Sequence, residues 1–477
     1  MDSCFVSRHE LWTEQQQGAA EELASRIRRL DLSQVRLSWA DQHGTLRGKT
    51  LETAHFLKAL RHGKDFQTAP LLFDTSGDLV VPLSGASSLG GPRIAGLPNA
   101  VLVPDPATFT PLPWLPATGW ILGDLYFRSG ERVPFDTRGI LRAQLDGLAG
   151  AGYEYVAGIE LEFYITRTRP LRPSGPGPDG ALSPFPGPPR PAHGPGTAAL
   201  SEDELETVVH ALRDGIVSLE LPLATVEEEW GPGQVELTFE PLAGMTAADT
   251  VMLVRSTVRQ LCRRHGYHAT FMSRPQLDDV VPSGWHLHQS LRNGTQGNCF
   301  AGKAGQLLSD TGSWFMGGLL EHANACAVLT TPTLNGYKRY RSGSFAPDRI
   351  AWAEENRDVL IRVAGGHEGP HTRLENRVGD PAANPYLYLA SQIISGRDGL
   401  RTRKDPGPPA RTPRPHDARP LPKTLEEALP HFEQSALLRA ELGDAFVDYL
   451  ATIKRHEIDR FHRATTDWEQ REYFDAY

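Results

Sequence analysis

Gly158-Ile159-Glu160-Leu161-Glu162-Phe163 places two carboxylates on one side of an extended chain and three apolar side chains on the other. The same period of two returns in three further stretches. Gln234 and Glu236 share a face in Gln234-Val235-Glu236-Leu237, and His286, His288 and Ser290 share one in Trp285-His286-Leu287-His288-Gln289-Ser290. In Arg373-Leu374-Glu375-Asn376-Arg377 the shared face reads Arg, Glu, Arg. A single strand of this kind is what any half-buried antiparallel sheet produces. The four together are different, because a solvated face usually carries Lys, Thr or Ser, whereas these carry carboxylates and imidazoles. Like charges on one strand face repel unless a cation lies between them. Carboxylates with imidazole suit Mg²⁺ or Mn²⁺, and arginines beside them suit phosphate oxygens. That combination is the equipment of phosphoryl transfer.

Outward from these strands, the spacing predicts a helix over 136–150 that ends at glycine, then a strand over 155–166. Short β-like runs fall at 35–39, 79–81, 100–103 and 120–127, separated by Gly, Pro and Ser clusters. They predict a small sheet domain, 1–130, ahead of a larger one, 131–477. Further helical patterns cover 202–218, 248–265, 313–329, 385–396 and 436–462. The stretch 169–196 is so rich in Pro and Gly that it reads as a surface loop, and 401–422 reads as a second excursion.

Composition narrows the class. The chain of 477 residues is 39% hydrophobic and 22% charged with a net charge of −9, which suits a soluble protein and disfavours nucleic acid as partner. Cys4, Cys262, Cys299 and Cys326 form no CxxC pair and read as reduced thiols, with Cys262 and Cys326 in the core. The most apolar stretch, 314–329, is interrupted by Glu321 and His322 and reads as a buried helix, so a cytoplasmic location without membrane contact is expected.

In order along the chain, several segments resemble the glutamine synthetase superfamily. They are Trp39-Ala40-Asp41-Gln42-His43-Gly44-Thr45-Leu46-Arg47-Gly48-Lys49, the Glu160/Glu162 strand, Glu229-Trp230-Gly231-Pro232-Gly233-Gln234-Val235-Glu236 and the strand from Gly284 to Ser290. Asn335-Gly336-Tyr337-Lys338-Arg339, Asn356-Arg357, the Arg373 strand and Asp380-Pro381-Ala382-Ala383-Asn384-Pro385-Tyr386 complete the set. The resemblance implies an α+β fold, with an N-terminal β-grasp domain and a catalytic domain whose curved antiparallel sheet is flanked by helices. It implies a homo-oligomeric ring, a dodecamer, with active sites between subunits. It implies ATP and about two or three Mg²⁺ or Mn²⁺ ions per site, acting in acyl phosphate chemistry.

Roles follow from the same resemblance, position by position. Glu162, Glu229 and Glu236 match ligands of one metal; Glu160, His286 and Glu375 match those of a second. His288 and Ser290 match nucleotide contacts, and Arg357, Arg362 and Arg373 match arginines of phosphoryl transfer. Arg339 and Arg377 match residues that hold the carboxylates of glutamate, with Gly284 beside them. Asp41, from a neighbouring subunit, matches the group that takes the proton of the amine.

Two segments depart from the ammonia-using members. Their flap ends in a Gly-Tyr-Glu-Ala-Pro type sequence, whereas this chain has Gly343-Ser344-Phe345-Ala346-Pro347. Their Asn-Gly-Ser-Gly loop is here Val281-Pro282-Ser283-Gly284. Ammonium has no apolar surface, so Phe345 in place of a carboxylate favours an organic primary amine, whose buried methylenes contribute roughly 0.8 kcal/mol each. The expected reaction is synthesis of a γ-glutamyl amide from glutamate and such an amine. A glutamine synthetase using ammonia and a non-catalytic structural relative are the other readings. The filled metal positions speak against the second.

Overall fold

A computed structural model describes residues 4–81, 93–167, 200–277, 279–294, 297–303, 305–340, 345–366, 369–412, 415 and 417–477. The Pro/Gly-rich stretch 169–196 lies outside them, as do Gly343 and Ser344.

The first sheet runs in the order Leu46–Glu52, Gln34–Ala40, Thr118–Tyr126, Asn99–Pro104, Lys64–Gln67. Gln34–Ala40 and Thr118–Tyr126 pair in parallel, and the other neighbours are antiparallel. The expected run 79–81 forms no strand; Leu79 only makes an isolated bridge with Phe73. Two helices not foreseen, Glu14–Arg29 and Thr53–His62, accompany this sheet. Its apolar face has no closed core of its own. Leu37, Phe56, Leu102 and Phe135 belong to the same cluster as Leu425, Phe446, Tyr449 and Ile453 of the C-terminal helices Leu425–Glu433 and Asp444–Arg463. Phe135 and Tyr449 stack with ring centroids 4.1 Å apart, and the Tyr449 hydroxyl donates to the Leu71 carbonyl at 2.6 Å.

The second sheet holds the four polar-faced strands side by side. Its order is Trp352–Glu354, Ile361–Ala364, Arg373–Asn376, Trp285–Asn293, Glu154–Arg167, Gln234–Phe239, Leu223–Glu228. Helices Glu202–Val217 and Gly244–Arg264 cover its apolar face, where Val208, Leu212, Val251 and Val258 meet Leu161, Phe163, Val235 and Leu287. The expected helix over 313–329 is two helices, Asp310–Glu321 and Ala323–Thr330, parted at His322. That over 436–462 is also two, parted by Gly443 at φ 85°, where only glycine is comfortable. Cys262 and Cys326 are buried and unpaired, as expected. No helix of the described residues is long and apolar enough to cross a membrane.

Asn384 joins the two sheets. It caps the helix Pro385–Thr402, its side-chain oxygen accepting from the Tyr386 amide at 3.0 Å, with Pro385 in the first helical position where no amide is missed. Its Nδ2 donates to the Asp41 carbonyl at 2.9 Å, fixing the hairpin between the first two strands against the second sheet.

Candidate active site

Strand register assembles the site. Glu162 lies opposite Glu236, His286 opposite Glu160, His288 opposite Glu375, and Glu375 opposite Arg362. Because side chains alternate, each pair projects to the same face, and the polar residues of five strands converge there.

Glu160 stands at the centre. His286 Nδ1 is 2.5 Å from one of its oxygens and His288 Nε2 3.0 Å from the other. Although burial opposes it, these imidazoles hold the Glu160 carboxyl well below the usual range. Arg373 Nε donates to His288 Nδ1 at 3.1 Å, so that nitrogen is the acceptor and Nε2 carries the proton. A ring fixed in this tautomer donates to Glu160 and links that carboxylate to Arg373.

Glu236 has the opposite environment. Burial, together with Glu160, Glu162 and Glu229, pushes it up to about 10. Burial also raises Glu162, against His286 and the Gly284 amide. Acidic side chains crowded this closely are stabilised by a cation between them. Two groups have ligand atoms all within 4.8 Å of one another: Glu160, Glu236 and His286, and Glu160, His288 and Glu375. Carboxylate oxygens with one imidazole fit Mg²⁺ or Mn²⁺. The groups cut across the sets expected from sequence. Glu160 belongs to both, His286 sides with Glu236, and neither Glu162 nor Glu229 is a member.

Glu375 is fully buried and clasped by guanidinium groups: Arg362 Nε at 2.5 Å and Arg377 Nη1. Arg377 Nε also donates to the Arg357 carbonyl at 2.9 Å, while the Arg357 side chain is exposed. Arg339 is buried, its Nη1 donating to the carbonyls of Val378 at 3.0 Å and Gly379 at 2.6 Å. A Cβ added at Gly284 would stand 2.9 Å from Arg339 Nη2, 3.1 Å from His286 Nε2 and 3.5 Å from Glu162 Oε1. The missing side chain therefore leaves a cradle between a guanidinium and the carboxylate–imidazole cluster. Ser290, half-buried, lies on the same strand as His286 and His288.

Asp41 is not part of this cluster. Its carboxylate is fully enclosed, one oxygen accepting from the His43 and Thr45 amides at 3.0 and 2.9 Å, the other from Arg47 Nε at 2.8 Å. Within the single chain Asp41 shapes its own hairpin and lies apart from the acidic cluster.

Two residues gain importance that their sequence context did not convey. Gln234 donates to both Glu162 and Ser283 at 3.0 Å and accepts from the Gly231 amide at 3.0 Å, tying the 230–234 loop to the acidic cluster. Its place beside Glu236 on the polar face was the available signal. Trp230, in that loop, is 80% exposed, and Phe345 is 57% exposed; their ring centroids lie 6.3 Å apart. Two large bare rings facing each other beside Glu229 make an apolar wall at the edge of the carboxylates.

Residues 134–473 match the family model described as glutamine synthetase, catalytic domain. The chain is 41% identical to a γ-glutamylanilide synthase of an Acinetobacter species, over 98% of each chain. It is 30% identical to a γ-glutamylethanolamide synthetase, GlnA4, of Streptomyces coelicolor, over 95% of each. A solved GmaS/ADP complex superposes with a TM-score of 0.76 at 27% identity, covering 95% of this chain and 99% of that one. On the matched domain, the shared fold and the polar-faced sheet it carries, the chain belongs to the glutamine synthetase family.

Proposed function

We propose that this protein is an ATP-dependent ligase that joins glutamate to an aromatic primary amine through γ-glutamyl phosphate, giving a γ-glutamyl amide. The single observation that carries the choice of amine is the pair Trp230 and Phe345. Flat, exposed and beside Glu229, these rings offer a flat apolar body the contact that ammonia cannot use. Similarity over almost the whole chain to an enzyme named for an anilide product supports the same reading.

The cradle at Gly284 receives glutamate, with Arg339 beside it for a carboxylate. Arg357, Arg362 and Arg373, with the His288 ring and the Ser290 hydroxyl, orient the phosphates. Arg377 braces Glu375. Divalent ions held by Glu160, Glu236, His286 and Glu375, with Glu162 and Glu229 alongside, would neutralise charge on the transferring phosphoryl group. The only described hydrogen bond to the Glu229 side chain is from the Trp230 amide at 3.3 Å, so this carboxylate is free to hold the amine as a cation and accept its proton before attack. The apolar wall also keeps water from the acyl phosphate, which it would hydrolyse.

The same reading divides the chain into a β-grasp domain, 1–130, and a catalytic domain, 131–477, and assembles copies into a ring. Trp468, Tyr473 and Phe474, exposed at 56, 47 and 74% near the C-terminus, supply apolar surface for such contacts. The deciding experiment is an amine panel with glutamate and ATP, comparing kcat/KM for aniline, ethanolamine, isopropylamine and ammonia. Aniline should lead. If ammonia leads, Phe345 has been misread and the chain makes glutamine.

A further inference from the structure

Helix Gly244–Arg264 carries Arg255, Arg259 and Arg263 at intervals of four, on one face. That face looks toward the tip of the Asp41–Thr45 hairpin, and two cavities meet beneath it. The smaller, about 550 Å³, is lined by Arg36, Arg255, Arg259, Arg263 and Arg264, with hydroxyl and amide groups from Thr45, Ser256 and Gln260. Among its described lining residues there is no carboxylate. The larger, about 980 Å³, shares Gly44, Thr45, Arg255 and Arg259 with it.

Two enclosed arginines elsewhere in this chain have acidic partners. Arg138 is met by Asp105, Asp124 and Asp249, all within 2.9 Å, and Arg362 by Glu375. None of the five cleft arginines has an ion pair among the described residues. Arg255 is only 4% exposed, and its Nε has no hydrogen-bond partner. It reaches the Pro381 carbonyl through Nη2 and lies 5.4 and 5.8 Å from the rings of Trp285 and Phe271. Arg259 lies 5.1 Å from the same Phe271 ring. Burial and the neighbouring Arg259 push the Arg255 guanidinium down to about 9, outweighing the pull of Asp380.

Like charges gathered around one buried arginine with an orphaned donor are costly unless an anion joins them. We propose that the cleft between the hairpin tip and this helix face binds a small multivalent oxyanion, a molecule bearing phosphate or two or more carboxylates. Planar guanidinium forks on successive turns grip such a group from several sides, and Thr45, Ser256 and Gln260 complete its hydrogen bonds.

The test titrates the metal-free full-length protein by calorimetry with inorganic pyrophosphate and, separately, citrate, at fixed ionic strength. At least one of the two should bind about tenfold or more tighter than acetate, and the preferred one names the phosphate or the carboxylate source. Arg259→Gln/Arg263→Gln, on exposed positions that leave the fold intact by circular dichroism, should lose that site. Arg373→Gln, in the proposed nucleotide site, should keep it. Unchanged binding in the double variant, loss in Arg373→Gln instead, or no binding of either anion to the parent overturns the proposal. The last outcome is what a cleft covered by a second copy of the chain would give.

Discussion

Trp230 and Phe345 come from segments more than a hundred residues apart, yet their rings face each other at 6.3 Å with planes inclined by 36°. A ring contact of this kind contributes about 0.5–1.5 kcal/mol beyond area burial. Trp230→Val and Phe345→Val should therefore each lower kcat/KM for aniline about 3- to 10-fold, while isopropylamine changes less. Phe345→Glu should move preference toward ammonia. Steady-state phosphate release across the panel reads all three, and equal losses for aniline and isopropylamine would refute an aromatic wall.

Gly284 is a position where one methyl group decides activity. Its Cβ would press on Arg339 Nη2 at 2.9 Å and His286 Nε2 at 3.1 Å, which also displaces whatever the cradle receives. Gly284→Ala should fold normally and lose about 100-fold or more in kcat/KM for glutamate, since small misplacements in a positioned site cost that much. A variant with an unchanged KM and kcat would show that glutamate sits elsewhere.

The acidic cluster should be required for chemistry and dispensable for folding. Glu162→Ala and Glu236→Ala each remove a carboxylate whose burial is unfavourable without a cation. Neither variant should be less stable than the parent in EDTA. Both should fail to release ADP, and Mg²⁺ or Mn²⁺ should no longer raise their melting temperature as ligand linkage raises that of the parent. Near-normal turnover in either would sink the metal assignment.

Asp136 couples stability to pH far from the site. Burial and the neighbouring Asp124 push it up to about 7 in the fold, from an ordinary 3.8 when unfolded. The folded state thus binds the extra proton, and stability from this group is full below pH 4 and lost as pH rises toward 7. Asp136→Asn can still accept from the Leu125 amide, which Asp136 does at 3.2 Å. The variant should gain on the order of 1 kcal/mol over the parent at pH 8 and nothing at pH 4. Urea unfolding at the two pH values checks this. A variant equally destabilised at both would mean that the ionised form is needed.

The catalytic sheet was legible because its strands obey a strict period of two and their polar faces hold residues that no solvated face collects. Less was visible where burial is slight. Leu46–Glu52 is an edge strand with only Leu51 buried, so it lacks alternation. Glu14–Arg29 buries only Gln16, Leu23 and Ile27, and reads as a polar run. The breaks at His322 and Gly443 depend on local geometry within stretches whose apolar spacing continues across them. Within the site, residue types were legible and partners were not. Glu162 and Glu236 share a rung while Glu160 bridges two imidazoles, which strand register decides and linear spacing does not. Asp41 shows the same limit: its motif was recognisable, but its closure by Arg47 depends on the fold of the hairpin.

Phe135 and Tyr449 belong to one core although most of the chain lies between them. A ribosome adding roughly 5–20 residues per second needs about 15–60 s to make that intervening stretch. Through that interval the first sheet is complete in sequence, and Leu37, Phe56 and Leu102 have the two early helices but lack the C-terminal helices that complete their cluster. The newborn chain therefore depends on its last helices to close the core over its first sheet, and truncated or stalled products should be clients of chaperones long before they could be enzymes.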